Sequence, residues 1–277
     1  MAYKDVLVHI DTPASGPRYA IAAGVAARSG GRLTGLYLRT TLINQYVNIG
    51  SIGYLPPDDL DRLIREHNQG QTDAAQAAGA ALQAAANAAG VTCEWREIDG
   101  DTSEALIAEA RRADLAVLPA PTPNPPYNTH GSAVDVALGG AGPVLVTPSG
   151  AATNGVGRKV LVAWNGAREA ARALRDALPL FDPAAEVTVL SVRPKGADLT
   201  PDAGLARHLE HLGFKAELLV LGDSEEAQVL IERQAKAVGA DLIVMGLYGH
   251  ARLQEFVLGG ASRGMLHGSS IPLLVAH

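Results

Sequence analysis

The chain has 277 residues, 47% apolar and 19% charged, enough for one large globular domain or two of ordinary size. Acidic residues outnumber basic ones, 29 to 23, for a formal charge of -6, and no lysine- or arginine-rich run marks a nucleic-acid partner. The single cysteine, Cys93, excludes an internal disulfide and a cysteine metal cluster, and no apolar run approaches membrane-spanning length.

The opening MAYKDVLVHID enters a strand at once and has no signal-peptide architecture, so a soluble cytoplasmic protein is expected. Val6 to Asp11 reads as a buried strand ending at an aspartate, followed by a small-residue helix from Gly16 to Ser29 and a strand from Leu33 to Leu38. Arg39 to Pro57 has no clear period and is long for an ordinary connection, so it reads as an excursion that covers something or contacts a partner. Asp58 to Ala89 is alanine-rich and helical, with Asp58 as the expected cap. A strand (Val91 to Ile98), a helix (Ser103 to Arg112) and a strand (Asp114 to Pro119) complete the pattern.

The second half runs through the same order. Strands are expected at Lys159 to Trp164, Glu186 to Val192, Phe214 to Leu221 and Asp241 to Met245. Helices are expected at Arg168 to Leu178, at Pro201 to Leu212 and up to Val238, the last opened by Gly222-Asp223-Ser224. GDTSEALIAEARRADLAVLPA in the first half answers GDSEEAQVLIERQAKAVGADLIVMG in the second. Each half ends in proline plus an apolar run, Pro143 to Val146 and Pro272 to Val275, and Thr147 to Gly157 reads as the seam. Alternating buried strands and helices imply parallel sheets, whose ligands sit at the carboxyl ends of strands where strand order reverses. Asp11, Asn165 and Gly246 fall at such ends.

The stretch richest in chemistry is Asp241 to Ser262. Behind its apolar run come Gly246, Gly249, Gly259 and Gly260, just before a helical pattern from Ser262 to His267. Glycines let a backbone turn sharply or approach a ligand closely, and amides free at a helix start make an anion site. Any one of these glycines also fits the plainer role of shaping a loop; four at this spacing favour phosphate.

On these residues the chain resembles the universal stress protein family in its tandem two-domain form, over nearly its whole length. The most specific signature is the G-x2-G-x9-G spacing of Gly246, Gly249 and Gly259. The resemblance implies an α/β protein of two tandem doubly wound parallel-sheet domains (adenine nucleotide alpha hydrolase-like), related by a pseudo-two-fold and spanning 1–148 and 158–277. It implies pairing of the last strands, Val144–Thr147 and Leu273–Ala276, an internal pseudo-dimer and association of two chains into a homodimer. It also implies an adenine nucleotide, ATP with Mg or AMP, with Met245, Gly246, Gly249, Gly259, Gly260 and Ser262 on the phosphate side. Ala163, Trp164 and Asn165 map to adenine and ribose, and Val192 lies by the base.

Two departures weaken that site: Gly260 stands where a hydroxyl residue is expected, and Asn165 where an acidic one is. In the first half the corresponding loop is Pro119-Ala-Pro-Thr-Pro-Asn-Pro-Pro-Tyr127, whose prolines offer no N–H, so that half is expected to have lost its phosphate site although Asp11 and Gly139-Gly140 remain. His250 approaches a phosphate or faces water; Arg252 neutralises phosphate with Arg263 or pairs with Glu255. His208 and His211 form no metal site without a third ligand, and Cys93 is expected in the core. No P-loop, G-x-G-x-x-G or G-x-S-x-G motif occurs, nor an acidic metal pair in the loop, which points to a nucleotide-responsive regulator rather than a turnover enzyme. The rival is a nucleotide-independent interaction scaffold with a protein partner.

Overall fold

A computed structural model describes residues 2–39, 56–99, 103–121, 133–151, 155–194, 196–222, 225–247 and 260–277. The chain forms two compact units, residues 2–141 and 142–277. In the first, strands β1 (Asp5–Ile10), β2 (Arg32–Arg39), β3 (Cys93–Asp99) and β4 (Leu115–Pro119) alternate with helices α1 (Gly16–Ser29), α2 (Pro57–Ala89), α3 (Ser103–Ala110) and α4 (Ala133–Gly139). The sheet order is β3-β2-β1-β4, all parallel. These strands read as apolar runs because both faces are covered: Val6, Leu7, Val8 and Ile10 are each at most 2% exposed.

In the second unit, β5 (Val144–Thr147), β6 (Lys159–Ala163), β7 (Glu186–Arg193), β8 (Lys215–Gly222), β9 (Leu242–Gly246) and β10 (Leu273–Ala276) order as β5-β10-β9-β6-β7-β8. All neighbours are parallel except β5 and β10, which pair antiparallel with Leu274 opposite Leu145, as the resemblance implied. Helices α5 (Arg168–Ala177), α6 (Ala203–His211), α7 (Ala227–Val238) and α8 (Gly260–Gly268) connect them. The chain lays β7 and β8 on one side of β6 and then returns to the other with β9, so strand order reverses between β6 and β9. In the first unit it reverses between β1 and β4. Those two crevices are where the topology places ligands.

Both units start their central strand with the same device. Asp114, just before β4, accepts hydrogen bonds from the amides of Lys4 (2.7 Å) and Asp5 (2.9 Å). Asp241, just before β9, accepts from Gly157 (2.6 Å), Arg158 (3.1 Å) and Lys159 (3.1 Å). A carboxylate here satisfies strand-end amides that have no ladder partner, and such charge-assisted bonds are the strong ones.

Several expectations are corrected. Asp58 does not cap α2: Pro56 occupies the cap position with no side-chain bond, and Pro57 starts the helix, where its missing N–H costs nothing. Helix α4 had no clear sequence period, being only seven residues long. Gly139, which remains in the first half, closes that helix; a methyl group on it would stand 2.9 Å from the Ile107 side chain, so packing accounts for it. Trp164 lies one residue beyond β6, its amide still bonded to the Leu190 carbonyl at 2.8 Å. Cys93 is half-buried rather than core, and burial pushes its thiol up, away from the reactive thiolate. Most of the Arg39 to Pro57 excursion lies outside the described residues. No helix among those described is long and apolar enough to cross a membrane.

Candidate functional site

Of the residues named for the second unit, Ala163, Trp164, Asn165, Val192, Met245 and Gly246 lie at or just beyond the carboxyl ends of β6, β7 and β9. Ala163 closes β6 opposite Met245 of β9 in register, and Met245 is 6% exposed. Val192, half-buried near the end of β7, lies opposite Leu221. Trp164 is half-buried and Asn165 exposed. Asn165 uses its side-chain carbonyl to accept the Ala167 amide at 3.0 Å, and Gly166 follows with φ of 75°. That turn delivers the chain into α5. The amide nitrogen of Asn165 keeps two donors for a ribose hydroxyl.

Gly246 is explained by a neighbour within the fold. A methyl group there would stand 2.5 Å from the Ala170 nitrogen and 2.5 Å from the Glu169 carbonyl carbon, so its missing side chain lets the first turn of α5 rest on the end of β9. Its φ is not in the left-handed range. Helix packing, not a turn, requires this glycine.

Helix α8 begins at Gly260, two residues before the expected start, and Ser262 in its first turn is 8% exposed. Its opening amides have no acceptor within the helix, which together with a buried hydroxyl fits a phosphate or another anion. Gly249, His250, Arg252 and Gly259 lie outside the described residues, as does the side chain of Arg263.

Three residues that sequence reasoning missed meet at the same edge. Leu247, fully buried, donates its amide to the Ala276 carbonyl at 2.9 Å, and its own carbonyl lies 3.2 Å from His277 Nδ1. Glu169, whose side chain is 13% exposed, pairs with Arg168 at 3.1 Å. Its own amide N–H holds its carboxyl below the ordinary range against the effect of burial, with Arg168 and His277 adding to the lowering. None of these carries a periodic or motif signal; they meet because β9 and β10 are neighbours.

At the equivalent strand end of the first unit, Asp11 is engaged by its own neighbours. Asp11 Oδ1 accepts from Arg18 (2.7 Å), the Ser15 hydroxyl (2.6 Å) and the Thr12 amide (2.7 Å). Tyr19 donates to the Thr12 carbonyl at 2.8 Å, and Arg18, 6% exposed, also reaches the His9 carbonyl. Burial pushes the Asp11 carboxyl up, but the Arg18 guanidinium and the Ser15 hydroxyl outweigh it and hold it below the usual carboxylate range. Asp11 keeps the position the resemblance gave it, but its charge is already neutralised from within. Among the described residues no group of three or more His, Cys, Asp or Glu could hold a metal ion, and His208 and His211 are exposed on α6.

The universal stress protein family model matches residues 157–277, the span that holds all of the second-unit positions above. Universal stress protein Slr1230 of Synechocystis sp. is 31% identical over 137 residues, 48% of this chain and 46% of its own length. Universal stress protein MJ0577 of Methanocaldococcus jannaschii is 35% identical over 72 residues, 26% of this chain and 43% of its own length. The chain thus spans less than half the length of each of these curated relatives. Among solved structures, a universal stress protein from Archaeoglobus fulgidus DSM 4304 superposes with a TM-score of 0.69 at 16% identity, covering 99% of this chain and 96% of that one. A functionally unknown protein from Pseudomonas aeruginosa PAO1 superposes at 0.57 with 18% identity, covering 99% and 92%. At such identities the likeness shows the fold. Fold and sequence agree over the second half: residues 157–277 match the universal stress protein family.

Proposed function

We propose that residues 158–277 bind an adenine nucleotide, ATP with Mg or AMP, at the carboxyl ends of β6, β7 and β9, and that occupancy regulates how the protein meets a partner in a stress response. The observation that carries the reading is the G-x2-G-x9-G spacing, which starts at the end of β9 and finishes one residue before α8. The end of β9, the opening amides of α8 and the buried Ser262 hydroxyl flank this stretch, and β9 stands beside a strand-order reversal. Trp164 and Asn165 supply an aromatic face and amide donors for a base and a ribose. Nucleotide binding would satisfy the amides of the glycine-bearing stretch and shift its population toward one arrangement, which is the lever on a partner. The first unit takes no part: Arg18 already pairs with Asp11, and the prolines of the 119–127 stretch offer no N–H.

Calorimetric titration with Mg-ATP and AMP tests this. Saturable binding is expected, reduced at least tenfold (about 1.4 kcal/mol) in Gly249→Val and Gly259→Val with the fold intact. Unchanged affinity in both variants would remove the site. A second reading, a nucleotide-independent scaffold, draws on two observations: Asn165 is committed to a turn, and Gly246 is required by helix packing. A protein that ignores millimolar nucleotide would favour it.

A further inference from the structure

Leu247 is the last described residue before the glycine-bearing stretch, and β10 grips it at two points. Its amide donates to Ala276 and its carbonyl faces His277 Nδ1, one residue beyond the regular β9–β10 ladder, which ends with Ala276 opposite Gly246. Leu247 and Ala276 are at most 1% exposed, so this carbonyl has little water to turn to if the ring is removed. On the other side of the same edge, the first turn of α5, Glu169 and Ala170, abuts Gly246. The carbonyl direction at Leu247 fixes the plane of the peptide unit that begins the glycine-bearing stretch.

We infer that His277 is a positioning residue for the anion site: its ring N–H holds the Leu247 carbonyl and so fixes the end of β9 that precedes the glycine-bearing stretch. The role rests on the nucleotide reading above. His277 touches no ligand in this scheme; it acts through Leu247. An aliphatic side chain at 277 would fill the space without donating, whereas asparagine places an amide N–H at the same distance from the backbone as Nδ1.

The test uses the full chain with His277→Leu and His277→Asn. Residue-resolved amide exchange is measured at Leu247, with Val244 in the middle of β9 as the internal reference, and AMP affinity is titrated separately. In His277→Leu, exchange at Leu247 should quicken roughly five- to tenfold, the worth of one net hydrogen bond, while Val244 is unchanged. AMP affinity should fall by a similar factor, and His277→Asn should restore both. Unchanged exchange at Leu247 overturns the clamp. Faster exchange with unaltered AMP affinity overturns the positioning role. A wild-type protein that binds no AMP overturns the site reading together with the role, and is distinguished because the exchange experiment needs no nucleotide.

Discussion

Gly246→Ala separates the two explanations of the most conspicuous glycine in the chain. A methyl carbon at this position would lie 2.5 Å from both the Ala170 nitrogen and the Glu169 carbonyl carbon, and 2.8 Å from Glu169 Cβ. Favourable carbon contacts begin near ~3.5 Å, so α5 and β9 must part by about 1 Å. Neither side yields easily: Ala170, Leu174 and Met245 are 4%, 5% and 6% exposed, and two of the three clashing atoms are backbone. Overpacking of this kind costs about 1–3 kcal/mol, and backbone against backbone places it near the upper end. With a urea m-value of ~2 kcal/mol/M, the midpoint of the second unit should fall by about 1 M or more. Urea unfolding followed by Trp164 fluorescence and circular dichroism measures it. A wild-type midpoint with lost nucleotide affinity would refute the packing argument and return Gly246 to the ligand; a wild-type midpoint with unchanged affinity would refute both.

Asp241→Ala leaves the Gly157, Arg158 and Lys159 amides without their acceptor and should cost about 2–4 kcal/mol, read as a lowered urea midpoint with secondary structure retained. Arg18→Met should cost the first unit about 1–2 kcal/mol at neutral pH, discounted because Asp11 is 37% exposed. Since Asp11 is lowered in the folded state, its contribution is present above the unfolded carboxyl value near ~4 and disappears as pH falls through the lower folded one. The difference between wild type and Arg18→Met should therefore shrink only below about pH 4 in a series of denaturation curves. Gly79→Ala should push the Trp95 indole away from α2, read as a shift in tryptophan emission and a lower first-unit midpoint.

Strand positions were legible because strands covered on both faces must be apolar end to end: Glu186–Arg193 differs from expectation by one residue at one end, and Leu242–Gly246 by one at each. The strand-order reversal followed from the repeat and the parallel topology. Gly246 shows where reading stops: a ligand and a helix make the same demand, a missing Cβ, and only coordinates tell them apart. Asp114 and Asp241 were visible as matching letters in the repeat, but their bonds reach residues about 110 and 83 positions earlier in the chain. The Leu247–His277 contact and the pairing of Arg18 with Asp11 are single side-chain events without period. Helix α4 escaped notice because seven residues are two turns.

The antiparallel pairing of β5 with β10 has a consequence in time. Thr147 and Leu273 are separated by 125 residues of chain, so during synthesis β5 is complete long before its neighbour exists. At ~5–20 residues per second the gap is about 6–25 s. Through that interval a buried-type strand, VLVT, has no β10 to join, and another nascent copy of the same strand is the competitor it would meet on a crowded polysome. Ribosome pausing before Leu273, or a higher density of ribosomes on the message, should therefore raise the yield of chains joined through β5 instead of closed on their own β10.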